Sequence, residues 1–496
     1  MKLLIEHPLV VTVNDQNEVI HDGALVIEGR WIRYVGPANK APPGPFDRVI
    51  DGRPMIAMPG LINAHCHSPA NLHRGLLSGR PLEIWRAYWR ATLGAMNAED
   101  LYTSALLGAA EMLKTGTTTV LDHFFGSQAL PFAGAGNAIR AMRELGLRHV
   151  VSLTLSDRRY EETVPLGDRR GSASKEIQRM TRSETQDARR WLETCESFIS
   201  EYHDPDRLTI CCPGPSAVQR CTDELLAGAA DLARRRNLPM HIHLAETKSQ
   251  KVMGPKLYGT SLLKHLDSMG ALAPFVSLAH SIWIEPEDID LFAKSGATPV
   301  HNPASNLRLG SGIAPVPQML SSRVHVALGT DGAASNDGQN MFDAIRLATL
   351  LHNPTLHDYR MWVTPAQALR MATREGARAF GLANGVLAPG RLADVVLLRR
   401  DTLAFTPLNN VVNQIALCEN GSSVDTVLVD GEIMVEKGYL TRKREEEIVE
   451  LTRQSQERLR PGFQREMEAT REVEPTLAEM YFRIASQDKH STHKRS

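Results

Sequence analysis

From residue 58 to about residue 331, short apolar runs alternate with longer stretches whose apolar positions recur every three or four residues. That rhythm predicts parallel strands joined by helices. Eight strand candidates stand out: 58–67 (MPGLINAHCH), 117–124 (TTTVLDHF), 148–155 (RHVVSLTL), 208–214 (LTICCPG), 239–246 (PMHIHLAE), 275–281 (FVSLAHS), 297–303 (ATPVHNP) and 324–331 (VHVALGTD). Helix punctuation falls between them. Asn97, with Glu99 and Asp100 in the turn that follows, is placed to cap a helix that Gly116 closes; Pro286, Glu287 and Asp288 open another that Gly296 ends. Eight β/α units in roughly 270 residues predict a (β/α)8 TIM barrel rather than an open sheet.

On either side the period shortens to two. LVVTVN, ALVIEG and WIRYVG, separated by Asn-Asp, His-Asp-Gly and Gly-Pro signals, predict a small antiparallel sheet within residues 1–57. The same alternation returns at 395–400 and 425–438, where Asp430-Gly431 suits a type I′ hairpin. Residues 1–57 and 384–440 are thus expected to complete one β domain beside a barrel at 58–383. Residues 441–496 are charged and helix-prone, broken at Pro461-Gly462, and finish in a basic polar stretch. They predict a helical appendage with a disordered tail, available for contacts in a homodimer or higher homo-oligomer. A polar insertion at 156–182 follows the third strand and reads as a lid or as a solvated loop.

Composition removes whole classes of function. With 56 Lys plus Arg against 57 Asp plus Glu, the net charge is −1, so nothing draws the chain to nucleic acid or to anionic lipid. At 42% hydrophobic and 23% charged residues it is an ordinary globular chain. Glu6, His7 and Pro8 interrupt any signal-peptide core, no apolar run approaches the ~18 residues of a membrane helix, and a cytoplasmic location is expected. The six cysteines form no C-x-x-C pair, which argues against a disulfide framework or a thiolate zinc site.

The candidate chemistry gathers at strand ends, where barrels build their sites. His65 and His67 end the first strand, His241 and His243 lie in the fifth with Glu246 just beyond, His280 ends the sixth and Asp331 the eighth. One H-x-H pair means little, since 18 histidines in 496 residues yield about 0.65 by chance. Placement carries the argument: period-2 spacing turns His65 and His67 to one side, toward a common interior point. Three imidazoles and a carboxylate, His65, His67, His243 and Asp331, make an N/O set suited to one divalent ion, Zn2+ or alternatively Fe2+. Such an ion lowers the pKa of a bound water from about 15.7 toward ~7. Asp331 would accept a proton from that water, and Glu246 would relay it to substrate. His280 would polarise the attacked centre or orient the nucleophile, with a fourth imidazole ligand the alternative. His241, deeper in its strand, reads as a supporting or core residue.

Four ordered motifs carry a resemblance: PGLINAHCH at 59–67, HIHLAET at 241–247, HNPASNLRLGSGIAPV at 301–316 and GTDGAASND at 329–337. With APGRLADVVLL at 388–398, the chain resembles the amidohydrolase superfamily over about residues 1–440, in the branch of cytosine, guanine and S-adenosylhomocysteine deaminases and triazine hydrolases. The resemblance implies a barrel with a β-sandwich domain and a single metal ion on His65, His67, His243 and Asp331. It also implies Glu246 as proton shuttle and His280 against substrate or nucleophile. The HNPASN segment implies that Asn302, Ser305 and Asn306 shape the pocket.

One departure bears on substrate. Adenosine-type deaminases of this branch often carry Pro-His-Ser/Ala-Pro-Tyr after the fourth strand, where this chain has Cys212-Pro213-Gly214-Pro215-Ser216. Without that histidine, smaller amino-substituted rings such as oxopurines, pterins, pyrimidines or triazines are expected ahead of adenosines. Retention of Glu246 favours deamination, because a departing amine needs a proton and chloride does not. Hydrolysis of an amide, urea or C–Cl bond is the rival within the same site, and a non-catalytic scaffold the rival from another class. Trp85, Tyr88 and Trp89 share a helical face able to stack on a ring or simply to pack on the barrel. His123 ends the second strand and is a further substrate-binding candidate. No phosphate-binding glycine motif and no nucleophile elbow occurs.

Overall fold

The computed structural model describes residues 1–126, 131–165 and 186–486. Eight parallel strands form two four-stranded arcs. Leu61–Cys66, Thr117–Phe124, Arg148–Leu155 and Thr209–Pro215 make one arc; Met240–Leu244, Val276–His280, Thr298–His301 and Ala327–Leu328 make the other. The arcs meet at two seams. Ala217 bridges His243 between the fourth and fifth strands, and the Asp331 amide donates to the His65 carbonyl at 2.9 Å between the eighth and first. Both seams therefore lie beside proposed ligands.

The eighth strand is shorter than its apolar pattern predicts. Asn63 Oδ1 accepts the Thr330 amide at 3.0 Å, so a side chain replaces the neighbouring strand as partner and the ladder stops early. Seam packing also explains Gly329. A Cβ there would lie 2.5 Å from Asn302 Oδ1 and 2.8 Å from the His65 nitrogen, so a larger residue would wedge the two strands apart. Helix signals read from sequence are realised locally: Asn97 and Asp100 form a reciprocal capping box on Ala98–Lys114, and Gly296 at φ 72° ends Pro286–Ser295.

The terminal segments pack as two sheets. Trp31–Pro37, Gly23–Glu28, Lys2–Glu6 and Arg48–Asp51 form one, and it is mixed rather than antiparallel throughout, because Leu3–Glu6 pairs in parallel with Arg48–Asp51. The other has seven strands and joins Leu9–Val11 and Met55–Pro59 to Val395–Arg399 and Val424–Val429. The Met55–Pro59 strand runs past residue 57, and Gly60 separates it from the first barrel strand. Leu3, Ile5, Leu25 and Ile27 from one sheet and Val10, Val395, Leu397 and Leu428 from the other share one buried cluster. Asp430 and Gly431, at φ 55° and 80°, make the two-residue turn expected of them.

One expectation fails outright. Helix Glu445–Arg471 runs through Pro461-Gly462 without a break. Burial outweighs the lost backbone bond: the Phe463 ring stacks on His73 at 4.8 Å, Ile448 and Leu459 are buried, and Arg458 pairs with Asp100. A second helix, Glu474–Ser486, follows, and Glu474 accepts the Tyr88 hydroxyl and pairs with Arg80. Of the 156–182 insertion, 166–182 lies outside the described residues, as does the 487–496 part of the tail.

Candidate active site

Four imidazoles and one carboxylate converge at the C-terminal mouth of the barrel. The His65 ring centroid lies 4.8 Å from that of His67, 4.9 Å from His243 and 5.4 Å from His280, while His67 Nε2 approaches Asp331 Oδ1 at 3.2 Å. All five residues are buried. Ligand atoms of His65, His67 and His243 lie within 4.8 Å of one another, as do those of His65, His280 and Asp331. Strand ends that bring these groups inward adopt left-handed backbone, with His280 at φ 71° and Asp331 at φ 63°. Such conformations cost of order 1–3 kcal/mol each and persist where surrounding structure enforces them.

Hydrogen bonds fix which nitrogen each ring offers. His67 Nδ1 donates to the His123 carbonyl at 2.7 Å and His243 Nδ1 to the Ser216 carbonyl at 2.6 Å, because a carbonyl can only accept. His280 Nδ1 meets Asn306 Oδ1 at 2.9 Å. For His65 the direction comes from farther away. The Ser277 hydroxyl donates to the Met240 carbonyl and accepts from His241 Nδ1 at 2.7 Å; His241 Nε2 then accepts from His65 Nδ1 at 2.8 Å. Each Nε2 is left bare toward the shared centre, and that of His65 is buried 3.5 Å from Asp331 Oδ1 with no hydrogen bond of its own. The Asp331 carboxylate is held by Ser305 Oγ at 2.6 Å, Ser335 Oγ at 3.2 Å and the Gly332 amide at 2.7 Å. A divalent ion fits this donor set: neutral imidazoles with bare nitrogens, one carboxylate and a buried orphan ligand atom.

Electrostatics agree with that fit. Burial pushes His65 down to about 4 and His243 well below the usual histidine range, keeping both neutral. Burial opposes ionisation of Asp331, but the close approach of the His65 and His67 rings prevails and holds its carboxyl well below the usual carboxylate range. His67 is raised, since contact with Asp331 outweighs its own desolvation. Glu246 moves the opposite way from Asp331. Burial, helped by the negative charges of Asp331 and Glu83, lifts it well above the usual range. Its backbone amide donates to Gln250 Oε1 at 3.0 Å, the Gln250 amide reaches back to Glu246 Oε2 at 3.4 Å, and His280 Nε2 lies 3.8 Å from Oε1.

These groups open on a cavity of about 90 Å3. Trp85 and Trp89, stacked at 5.4 Å, form one wall with Phe125 and Leu309. Tyr88 does not join them; it is buried toward Glu474. His123 and Asn302 are enclosed and do not line the cavity: His123 supplies the carbonyl that holds His67, and Asn302 sits 3.4 Å from His280 Nδ1. The sequence reading missed Arg86, Tyr160, Gln219, Arg220 and Gln250, all on the wall. None carries a strand-end signature; only Gln250, four residues after Glu246, has a spacing that betrays it.

With this arrangement in view, the chain matches the amidohydrolase family over residues 56–434, and it belongs to that family. It is a metal-site hydrolase of C–N bonds by class. The 5′-deoxyadenosine deaminase of Methanothermobacter thermautotrophicus is 35% identical over 87% of this chain and 93% of its own. The 5-methylthioadenosine/S-adenosylhomocysteine deaminase of Thermococcus onnurineus is 34% identical over 88% and 94%. Among solved structures, atrazine chlorohydrolase from Arthrobacter aurescens, complexed with zinc, superposes with a TM-score of 0.81 at 28% identity, covering 92% of this chain and 100% of that one. An adenosine deaminase from Xanthomonas campestris with bound zinc gives 0.81 at 27% identity, covering 92% and 98%. Among the described residues no helix is long and apolar enough to cross a membrane.

Proposed function

We propose that the chain is a hydrolytic deaminase that replaces the amino group of an N-heterocycle by oxygen and releases ammonia. One divalent ion, zinc in first place and Fe2+ the alternative, would be held by His65, His67, His243 and Asp331. When bound, it supplies Lewis acidity and makes water nucleophilic at neutral pH. The chain's own groups do the rest. Asp331, ionised, accepts the proton that water loses. Glu246 delivers its proton to the ring nitrogen and then relays the proton taken from water to the departing amine, and Gln250 holds its orientation. His280 directs its bare Nε2 toward the same space, where it accepts from the attacking water and orients it, while Trp85 and Trp89 present flat apolar faces to the ring. Asn302 and His123 act from behind this layer. A cytoplasmic, homo-oligomeric enzyme acting on small molecules belongs to the same proposal.

The observation that carries the reading is Glu246: a carboxyl buried beside the His–Asp cluster, its pKa raised by that burial, suits a leaving group that must be protonated, as ammonia must. The named relatives put an adenine-type ring first. The histidine expected to contact the base is absent from residues 212–216. Base contacts must come from other walls. Chloride displacement is the second reading, favoured by the likeness to the chlorohydrolase structure. Assay of the zinc-loaded protein on amino- and chloro-substituted purines, pyrimidines, pterins and triazines separates the two. Ammonia release is expected, with Glu246→Gln lowering kcat ~100- to 10,000-fold at unchanged metal content. Chloride release without ammonia, or near-native turnover in the Glu246 variant, would refute it.

A further inference from the structure

Part of the cavity wall is cationic. Arg86 follows Trp85 on the Leu82–Leu93 helix, and Arg220 closes the short turn after the fourth strand; both face the space that Glu246 and His243 line. They flank one aromatic ring, with Arg86 Cζ 4.5 Å and Arg220 Cζ 5.2 Å from the Tyr160 centroid. Arg220 Nη1 donates to Thr163 Oγ1 at 3.1 Å, whereas its Nε is buried with no partner. Among the described residues no carboxylate forms an ion pair with Arg86, Arg90 or Arg220, and the nearby Glu83 accepts from Thr247 Oγ1 at 2.7 Å. Burial, then repulsion from Arg86, depresses Arg220 to about 9 and Arg90 to about 10.

Part-buried cations that repel one another are costly unless an anion answers them. A guanidinium fork with a free Nε–H matches an oxyanion in geometry as well as charge. Tyr160 between the two side chains spaces them and shields their other faces. Resting on the deaminase reading above, we propose that Arg86 and Arg220 form an oxyanion subsite, and that the preferred substrate is an amino-heterocycle bearing a carboxylate or phosphate away from the ring.

The test uses zinc-loaded protein and matched compounds: adenosine and cytidine, each as the neutral nucleoside, the 5′-carboxylate and the 5′-monophosphate. An anionic member is expected to exceed its neutral counterpart at least tenfold in kcat/KM, and the better of the two anions identifies the group. Arg220→Met and Arg86→Met should collapse that ratio toward one, and Arg220→Lys should restore part of it. Arg220→Met should melt no lower than the parent, since among the described residues no carboxylate pairs with the charge it removes. A neutral member equal to or better than both anions, a ratio that survives both Met variants, or a lower melting temperature with uniform loss of turnover would overturn the subsite. Absence of ammonia from every compound would instead strike the deaminase reading. Calorimetric affinities for the same compounds then decide the subsite alone: tenfold tighter anion binding lost in Arg220→Met upholds it, and equal binding overturns it.

Discussion

The two H-x-H pairs look alike in sequence and differ in role. His65 and His67 both present Nε2 to the shared centre, while His241 lies behind and sets the tautomer of His65 through the chain that starts at the Met240 carbonyl. A supporting partner of this kind typically contributes 10- to 100-fold in metal affinity. His241→Ala is therefore expected to weaken zinc binding by roughly that factor, read by competition against a chelator, with His243→Ala costing more. An unchanged zinc affinity in His241→Ala would show that the relay is idle. The alternation rule placed both side chains on the interior, but it contains nothing about depth, which is why ligand and support could be ranked from sequence and not separated.

Helices show where local signals suffice and where they do not. Asn97 with Asp100 and Pro286 with Gly296 mark their helix ends because caps satisfy backbone groups within a few residues. Pro461 is a local signal too, yet the helix continues, because the contacts that hold it come from His73 and Asp100, hundreds of residues away. That docking makes a pH prediction. Burial holds His73 at about 4 against 6.5 when unfolded. Above pH 6.5 both states are neutral and stability is complete; as pH falls, the unfolded chain takes up a proton the native state refuses, so stability declines until about pH 4. The loss is roughly 3 kcal/mol for this one residue. Chemical denaturation of the parent and of His73→Phe should diverge by about one proton over that window, the variant having the flatter profile. Parallel profiles would mean that His73 is not held neutral.

At the scale of the whole molecule, barrel and terminal sheets are joined through a buried charge cluster. Arg148, at the start of the third strand, donates to Asp394 Oδ1 and Asp430 Oδ1 at 3.0 Å each; Asp394 also accepts from Asn384 Nδ2 at 2.6 Å and from the Asp430 amide at 2.8 Å. Arg148 is 3% exposed and Asp394 1%, so removing one partner strands the other away from water. Arg148→Ala should cost about 3–5 kcal/mol in denaturant unfolding while kcat stays near the parent value, because the cluster sits at the barrel end opposite the site. A loss below 1 kcal/mol would show that the junction is held by apolar contact instead.

The order of apolar runs, the caps, the Asp-Gly hairpin and the strand-end histidines were set by the sequence alone, because each depends on neighbours a few residues apart or on the fixed periods of strand and helix. What covers Pro461, which wall holds arginine, how Asn63 ends the eighth strand and how closely Gly214 packs on Ser152 were decided only by the tertiary structure. Each of those depends on atoms from distant segments meeting at contact distance, and no local pattern encodes which segments will meet.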